Sequence, residues 1–497
     1  MTPPKRSHAI VVGGGIAGLC AVRALSDQFE RVTLVERDHF PDGFEHRAGT
    51  PQSHHVHALL LRGLMELERL FPGLERELTA AGAARMDLSN DFAHCTEWGW
   101  AVRGPSQVAP LTLSRVLIEG AIRARVIGGV PNLTLLQDTR MTGLMTERQD
   151  KRVRVTGIKT SGGQSPEIAA DLVVDASGRN SKCLEWLEAM GVARPEETLV
   201  DSYAGYASRF YELAPDPNRW WRGMLIASKT PEFPRWGLLM PIENGRWVLT
   251  LGGVNREYPP NDEQGFRDHL DKLASPALAR EIDRATPISS IHSNRSLFNR
   301  ARHFERWSSA VSGFVSLGDS AVTFNPYHGQ GMSMAAAAAN ILGDLCASPR
   351  IRDPYELTRR FHRAQWKTLR TAWDIATGID LEWPSTCGTR PFAYNLSLVF
   401  GTIVCRAAAE YPKVMGLMGS VYQLLAPPYA LLRPQMIMRV LYAEIRRRLG
   451  RTAPLVSPQD TSAIYQPAQA APASPRSCSA LLSRAAFSRA SRSQRSG

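Results

Sequence analysis

The chain has 497 residues, of which 43% are hydrophobic, and a formal net charge of +12. This length predicts two or three domains, and the hydrophobic content is sufficient for a buried core. The positive charge fits an anionic ligand or an acidic membrane surface, and since we find no nucleic-acid-binding motif, we expect no nucleic acid partner. The seven cysteines are scattered, without a C-x-x-C pair, which argues against a zinc site and a disulfide framework.

The sequence predicts neither a targeting segment nor a membrane-spanning helix. The first eight residues are polar and lead into the first apolar run, so we expect no signal peptide. No uncharged apolar stretch of about 18 residues occurs, so we expect no transmembrane helix. We therefore expect a cytoplasmic protein, with peripheral contact to a membrane as the alternative.

A glycine-rich turn follows the first predicted strand, His8–Val12. Its residues are Gly13, Gly14, Gly15, Ile16, Ala17 and Gly18, and a predicted helix runs from Ile16 to about Leu25. Gly13 allows a tight turn, Gly15 lets the backbone approach a pyrophosphate, and Gly18 lets the helix pack on the strand. The start of the helix offers free N–H groups to phosphates. The pattern is typical of a dinucleotide-binding βαβ unit.

The second predicted strand, Val32–Glu36, ends in an acid 18 residues after Gly18. A carboxylate at this offset binds ribose hydroxyls in dinucleotide-binding folds. Glu36 would also repel a 2′-phosphate, although the adjacent Arg37 weakens that argument. A glycine turn that binds nothing is the alternative.

Two further turns follow predicted buried strands. One is Asp175–Ala–Ser–Gly178, and the other begins at Gly318–Asp319 after the strand Phe314–Leu317. The second turn continues through Pro326, Gly329, Gly331 and Met332 into a predicted helix, Met332–Cys346. Since ligands bind at the carboxyl ends of strands in an open α/β sheet, we expect these turns to lie beside the glycine-rich loop. An ordinary turn aspartate is the alternative for Asp319.

Two other segments carry candidate residues. His54, His55 and His57 do not share one helical face and lack a carboxylate cluster, so we expect no metal site. Arg47, next to Gly49, is better interpreted as a cation beside a cofactor. Arg115 begins a predicted helix for which Ser114 is a plausible N-cap.

The three glycine and aspartate motifs resemble, in their order, those of flavoprotein monooxygenases of the para-hydroxybenzoate hydroxylase fold. Within that fold the chain is most similar to bacterial epoxidases of polyether biosynthesis, which are distant relatives of squalene epoxidase. The segments that carry this resemblance are Arg47–Leu59, Asn325–Met332 and Ala426–Leu441. The chain departs from the usual motif after Asp319, where Ser320–Phe324 replaces an alanine pair and a histidine, and it carries His328 in the following loop.

The resemblance implies an α/β fold with a Rossmann-like FAD-binding domain interleaved with an antiparallel-sheet substrate domain, plus a helical C-terminal region. The first domain would comprise residues 1–183 and 310–380, and the substrate domain residues 184–309. Alternating, aromatic-rich segments at Ser202–Tyr211, Met224–Ser228, Trp236–Ile242 and Arg246–Gly252 independently predict the antiparallel sheet. Residues 381–452 would form helices that could contact a membrane, and 453–497 a disordered tail rich in Arg, Ser and Ala.

The resemblance also implies a cofactor and a reaction. FAD and O2 would form a flavin C4a-hydroperoxide that transfers one oxygen atom to a lipophilic secondary metabolite, a polyketide or terpenoid. Alkene epoxidation is the expected reaction, with aromatic or terpenoid hydroxylation as the alternative. The electron donor would be NAD(P)H or a partner flavin reductase. Because the flavin carries the chemistry, the sequence nominates no catalytic acid or base.

The resemblance assigns roles to individual residues. The Gly13–Gly18 backbone would hold the pyrophosphate and Glu36 the adenosine ribose. Arg47 and Arg115 would lie near the phosphates or the flavin-side ribose, Asp319 near the ribityl chain, and Pro326–Met332 along the isoalloxazine ring, with the helix after Gly331 directed at its N1 and C2 carbonyl. The candidate substrate walls are Tyr206, Phe210, Trp236, Met240, Phe324 and Tyr327. His328 would donate a hydrogen bond to a peroxide or bond to backbone.

Three other functions are open to the same motifs. A flavin-dependent halogenase would need a Trp-x-Trp-x-Ile-Pro motif, whereas Trp98–Gly–Trp100 here continues with Ala–Val. A prenyl reductase would remove double bonds instead of oxidising them. A non-catalytic flavin-binding partner protein would retain FAD without substrate-dependent reoxidation.

Overall fold

A parallel β-sheet positions the glycine-rich loop, and it is covered by helices on one face and by a smaller sheet and a further helix on the other. The structure, a computed structural model, describes residues 6–149, 152–163, 165–308, 311–392, 394–452 and 454–464. Its helices are α1 (Ile16–Ser26), α2 (Leu61–Leu70), α3 (Leu74–Ala80), α4 (Arg115–Gly129), α5 (Cys183–Ala189), α6 (Glu263–Asp271), α7 (Ala277–Ile282), α8 (Gly331–Ala347), α9 (Pro354–Asp380), α10 (Tyr394–Glu410), α11 (Pro412–Tyr422) and α12 (Pro434–Arg448).

The strands before residue 180 are β1 (Arg6–Val12), β2 (Phe29–Val35), β3 (Ala58–Leu59), β4 (Ala84–Arg85), β5 (Phe92–Thr96), β6 (Gly99–Trp100), β7 (Leu111–Thr112), β8 (Leu133–Leu136), β9 (Arg140–Gln149), β10 (Arg152–Ser161), β11 (Glu167–Ala169) and β12 (Leu172–Asp175). The later strands are β13 (Glu197–Leu213), β14 (Gly223–Ile226), β15 (Arg235–Pro241), β16 (Arg246–Gly253), β17 (Ala285–Pro287), β18 (His292–Arg302), β19 (Val311–Ser312), β20 (Phe314–Ser316) and β21 (Val322–Thr323).

The first sheet has the strand order β20-β12-β1-β2-β8, and all four of its pairings are parallel. Both of its faces are covered, which is the usual condition of a parallel sheet. In β1, Ala9 and Val11 pack with α1, α2, α4 and α8, whereas Ile10 and Val12 pack with β9, β10 and α9. The predicted Rossmann-like unit is confirmed, since β1, α1 and β2 follow one another as expected.

The second large sheet has the order β21-β18-β13-β16-β15-β14-β5-β6, with β17 beside β13. The four aromatic-rich segments predicted as antiparallel strands lie in β13, β14, β15 and β16, and the pairings among them are antiparallel. The sequence did not indicate that Phe92–Trp100 would extend this sheet, with β5 parallel to β14. This sheet is therefore built from two separate stretches of the chain, residues 92–100 and 197–323.

Two expectations at element ends are wrong. The amphipathic segment His57–Leu70 predicts a helix from His57, but α2 begins at Leu61, because Ala58–Leu59 pairs with β7 instead. The tail expected to be disordered from 453 is ordered over 454–464, where the carbonyl of Val456 accepts a hydrogen bond from the Trp100 N–H at 2.9 Å and Ile464 is fully buried. The remainder of that tail, 465–497, lies outside the described residues.

Helices α10, α11 and α12 form a layer at the C-terminal end. They share an apolar cluster that includes Val404, Val414 and Val440. In the described part of the chain, no helix is both long and apolar enough to cross a membrane.

Candidate functional site

The glycine-rich loop turns sharply between β1 and α1. Gly13 has a φ of +101°, and a Cβ there would lie 2.5 Å from the carbonyl oxygen of Ala176. Gly18 packs so closely on Gly13 that a side chain would clash with that backbone. At Gly15, by contrast, a Cβ would have no neighbour within 4 Å. The loop therefore presents bare backbone to an open space at the start of α1.

That space belongs to a cavity of about 2100 Å³. Small-molecule sites usually occupy about 300–1,000 Å³, so the cavity has room for two ligands. Most of the residues predicted to bind a cofactor line it: Gly13, Gly14, Gly15, Ile16, Ala17, Glu36, Arg37, Arg47, Arg115, Gly178, Gly318, Asp319, Pro326, Gly329, Gly331 and Met332. Gly18 and Asp175 do not reach it.

Glu36 and two arginines, Arg47 and Arg115, belong to a buried charge cluster on one side of the loop. The Glu36 carboxylate accepts hydrogen bonds from the backbone N–H groups of Gly14, at 2.5 Å, and Asp38, at 3.0 Å. Arg47 donates to Asp38 at 3.0 Å and to the carbonyl oxygen of Gly14 at 3.1 Å. The predicted ribose-binding acid and the predicted phosphate-side cation are therefore neighbours.

Glu119, which the sequence reasoning missed, joins the two arginines. Its carboxylate accepts from Arg47 Nε at 3.0 Å and from Arg115 Nε and a terminal nitrogen at 2.9 and 2.7 Å. Burial raises the pKa of Glu119, but the charges of Arg115 and Arg47 outweigh it and lower that pKa overall. An acid four residues after Arg115, inside an apolar helix, was the signal that could have identified it.

Asp175 shapes the second turn instead of facing the cavity. Its carboxylate accepts from the N–H and hydroxyl of Ser177 and from the hydroxyl of Ser181. These bonds hold the turn that places Gly178 and Arg179 on the cavity wall. Arg179 was not nominated from the sequence, although it directly follows the motif.

Asp319 lies at the third turn, close to the start of α8. A Cβ on Gly331 would lie 3.9 Å from an Asp319 carboxylate oxygen. Burial raises the pKa of Asp319, while the positive charges of Arg179, Arg115 and Arg300 oppose that shift. The first turn of α8 also lines the cavity, so its free N–H groups and positive dipole end face the same space.

Gln330, the N-cap of α8, supplies an independent sign of a ligand. It is fully buried and lines the cavity, yet neither its amide nitrogen nor its amide oxygen has a hydrogen-bond partner. An unpaired buried amide is costly, so such a group requires an explanation. Together with the open space at Gly15 and the two arginines, it fits FAD, which carries phosphates, hydroxyls and a ring with hydrogen-bonding edges.

His328 belongs to a buried polar network behind this loop. Its Nε2 lies 3.2 Å from Asp380, which also accepts hydrogen bonds from the amides of Asn299, at 2.6 Å, and Asn325, at 3.0 Å. The Nδ1 atom of His328 is buried without a partner. The interpretation of His328 as bonded to backbone through its ring is wrong, since its ring bonds the Asp380 carboxylate. No local sequence pattern pointed to Asp380, which lies at the end of α9.

An apolar chamber continues from this loop. Trp236 and Tyr327 pack with ring centroids 4.8 Å apart, and both line the cavity with Tyr206, Met240 and Phe324. Phe210 does not line it and packs against the cluster of Met86, Met240, Ile242 and Val248. Glu382 also reaches the wall, and burial, together with Glu97 and Asp380, raises its pKa to about 7.

The histidine-rich segment packs without metal-like geometry. His54 stacks between His46 and His292, with ring centroids 4.0 and 3.8 Å apart. His55 contacts Ser208 through Nδ1 at 2.9 Å, and burial lowers its pKa to about 3. Within the described ranges, no three His, Cys, Asp or Glu side chains are grouped so as to hold a metal ion.

Known proteins are similar to this chain in sequence and in fold. Residues 9–181 match the family of FAD dependent oxidoreductases. Protein Rv3254 of Mycobacterium tuberculosis is 33% identical over 384 residues, which cover 74% of this chain and 79% of that protein.

Three solved structures are similar in fold. A flavoprotein/dehydrogenase of Cytophaga hutchinsonii has a TM-score of 0.60 at 15% identity, over 90% of this chain and all of that one. A triple mutant of the flavin-dependent brominase Bmp2 has a TM-score of 0.59 at 16% identity, over 88% and 99%. PqsL, a probable FAD-dependent monooxygenase from Pseudomonas aeruginosa, has a TM-score of 0.55 at 18% identity, over 76% and 97%. The chain therefore belongs to the same family as protein Rv3254, its residues 9–181 match the FAD dependent oxidoreductases, and the solved structures show a shared fold.

Proposed function

We propose that this chain is an FAD-dependent monooxygenase that transfers one oxygen atom from O2 to a lipophilic secondary metabolite, most simply by epoxidising an alkene. One observation carries the proposal: the glycine loop, Asp319 and the start of α8 share a single cavity with an aromatic, apolar chamber. A ligand in the chamber would meet whatever the loop holds. The volume of about 2100 Å³ allows a dinucleotide and a substrate to be bound together.

At the end of the cavity nearest the glycine loop, FAD would be held by backbone groups and by fixed charges. Gly13–Ala17 would receive the pyrophosphate at the start of α1, where Arg47 and Arg115 offset its charge. Asp319 would accept hydrogen bonds from hydroxyl groups of the cofactor, and the start of α8 would stabilise negative charge on the isoalloxazine ring. When bound and reduced, FAD supplies the activation of O2 that amino acid side chains alone cannot provide.

The chamber would orient the substrate and exclude water. Trp236, Tyr327 and Met240 offer apolar surface to a hydrocarbon chain and no charge that would favour a polar substrate. With a pKa of about 7, Glu382 holds a proton in a large share of molecules at neutral pH, so its carboxyl can donate a hydrogen bond to an oxygen atom of the product. This chamber and the resemblance support a polyketide or terpenoid as the substrate class.

The electron donor is proposed to be NAD(P)H or a partner flavin reductase. The two sources differ in a simple assay. If the purified protein oxidises NADH or NADPH in the presence of substrate, it reduces its own flavin. If it turns over only after photoreduction or with an added reductase, it depends on a partner.

The decisive experiment combines flavin content with isotope labelling. The protein is reconstituted with FAD, photoreduced and mixed with 18O2 and a lipophilic polyene, and the product is examined by mass spectrometry. We expect one FAD per chain and one 18O atom per oxidised product. Asp319→Asn should lower FAD retention, whereas Asp271→Asn, on the surface helix α6, should not.

The other candidate functions give different products. A reductase would add hydrogen without 18O, and a halogenase would require bromide or chloride. A hydroxylase would give an alcohol labelled with 18O instead of an epoxide. A flavin-binding partner protein would show no substrate-dependent O2 consumption. Failure to retain or rebind FAD would contradict the proposal as a whole.

A further inference from the structure

The cavity opens onto an apolar surface. Tyr429 and Leu432, in the turn before α12, and Leu396, on α10, all line the cavity. Yet they are 71%, 53% and 75% exposed, respectively. The entrance is therefore rimmed by large hydrophobic side chains, which favour an apolar phase over water.

Helix α12 begins two residues after Leu432, directly behind this turn. Its buried residues, Met436, Val440 and Ala443, pack against α10 and α11. At about 100° per residue, the opposite side of the helix carries a second apolar stripe. The members of this stripe are all exposed: Met438, Leu441, Tyr442, Ile445 and, at the C-cap, Leu449. We call these five residues, with Leu396, Tyr429 and Leu432, the entrance face.

The segment that carries most of the entrance face is positively charged. Residues 411–452 contain seven lysines and arginines but one acid, Glu444. That acid is paired with Arg447 and Arg448. Arg439 and Arg446 project on one flank of the stripe, about 100° from its centre. Apolar residues flanked by arginines are typical of helices that lie in the interface of an anionic bilayer.

We propose that the entrance face docks on an anionic lipid bilayer, so that the substrate passes from the lipid into the cavity without crossing water. The helix would lie on the membrane instead of spanning it. A second copy of the chain is the competing occupant, but a two-fold contact would bring the same arginine-rich surfaces together, which is electrostatically unfavourable. The inference rests on the proposed function for the identity of the substrate, whereas the docking itself does not require turnover.

Vesicle sedimentation of the full-length, FAD-reconstituted protein tests the proposal. We expect binding to vesicles of mixed phosphatidylcholine and phosphatidylglycerol, weaker binding to phosphatidylcholine alone, and loss of the difference at high salt. Replacing Leu441 and Ile445 by Asp should weaken binding to both vesicle types at least about tenfold. Arg439→Gln and Arg446→Gln should each weaken binding to the anionic vesicles alone, by about fivefold.

Ile127→Asp is the matched control, since Ile127 is an exposed apolar residue on α4, outside the entrance face. It should bind vesicles as the wild type does. Unchanged FAD content and melting temperature would show that the aspartate variants are folded. If the wild type binds no vesicles, or if the Leu441 and Ile445 variants bind as well as it does, the proposal is overturned.

Sedimentation velocity tests whether a second copy of the chain, instead of a bilayer, covers the entrance face. A concentration-dependent dimer that Leu441→Asp abolishes, without vesicle binding, would assign the entrance face to a second copy and overturn docking. Vesicle binding without substrate oxidation would leave docking intact and remove the proposed function. Oxidation of a detergent-dissolved polyene by a protein that binds no vesicles would support the proposed function and overturn docking.

Discussion

Replacing Glu119 by Gln tests whether the buried charge cluster stabilises the cofactor-binding half. The substitution keeps the shape of the side chain but removes the one carboxylate that both Arg47 and Arg115 contact, at 2.7–3.0 Å. Arg47 keeps Asp38 at 3.0 Å and Glu36 at 3.5 Å. Arg115 keeps no acidic ion-pair partner among the described residues. The substitution therefore leaves mainly one buried guanidinium, that of Arg115, without an ion-pair partner.

The expected cost follows from that difference. Removing one member of a buried ion pair costs about 3–5 kcal/mol, and because Arg47 remains paired, the lower end applies. For a domain of this size, about 3 kcal/mol corresponds to a fall of roughly 6–12 °C in Tm. The lowered pKa of Glu119 sets the pH dependence: its contribution is fully present above the ordinary value of 4.5 and is lost as the pH falls through the lowered value.

Thermal unfolding of the FAD-free protein at neutral pH measures this effect. Asp271→Asn is the matched control, because it removes the acid of the i,i+4 pair Arg267–Asp271 on the surface, which should cost less than about 1 kcal/mol. The difference between wild type and Glu119→Gln should shrink in acid. A variant that melts within about 2 °C of the wild type would refute the argument that this cluster stabilises the fold.

Three further substitutions probe the site. Gly15→Val should leave the Tm of the FAD-free protein near that of Gly128→Val, a control with equally open surroundings, but abolish FAD retention; equal FAD content in both would refute the cofactor placement. Burial lowers the pKa of His362 from 6.5 to about 3, so the unfolded state gains a proton first and stability falls as the pH drops below 6.5; His362→Gln should remove up to about 1.4 kcal/mol per pH unit of that slope in urea titrations. Asp380→Ala should lower the free energy of unfolding by about 3 kcal/mol, because the amides of Asn299 and Asn325 lose their buried acceptor; a loss below about 1 kcal/mol in urea unfolding would contradict this role.

Local patterns predicted the elements that hold the proposed cofactor. The glycine turn is followed by α1 at Ile16, as expected, because backbone sterics and helix starts are determined within a few residues. Ser114 caps α4 by accepting from the Leu117 N–H at 3.0 Å, also as expected. The alternating segments gave the central strands, since a period of two reflects burial on one side of a sheet.

What could not be predicted depends on contacts between distant parts of the chain. Asp175 is a strand-end aspartate like Asp319, yet its carboxylate accepts hydrogen bonds from the serines of its own turn and does not face the cavity. Asp380 acts beside His328 only because α9 ends there. Ile464 is buried although its neighbours in sequence are polar and small, which is a composition typical of disorder. Such roles are set by tertiary packing.

The parallel pairing of β5 with β14 bears on how new specificities could be engineered. Met224 and Leu225 of β14 lie in register with Ala93 and His94 of β5. A chimera that imported only residues 184–309 from a homologue would pair an imported β14 with the native β5. Where the two strands do not match, the pairing would fail, and an unpaired strand edge promotes aggregation. Grafting should therefore carry Phe92–Trp100 along with the imported block.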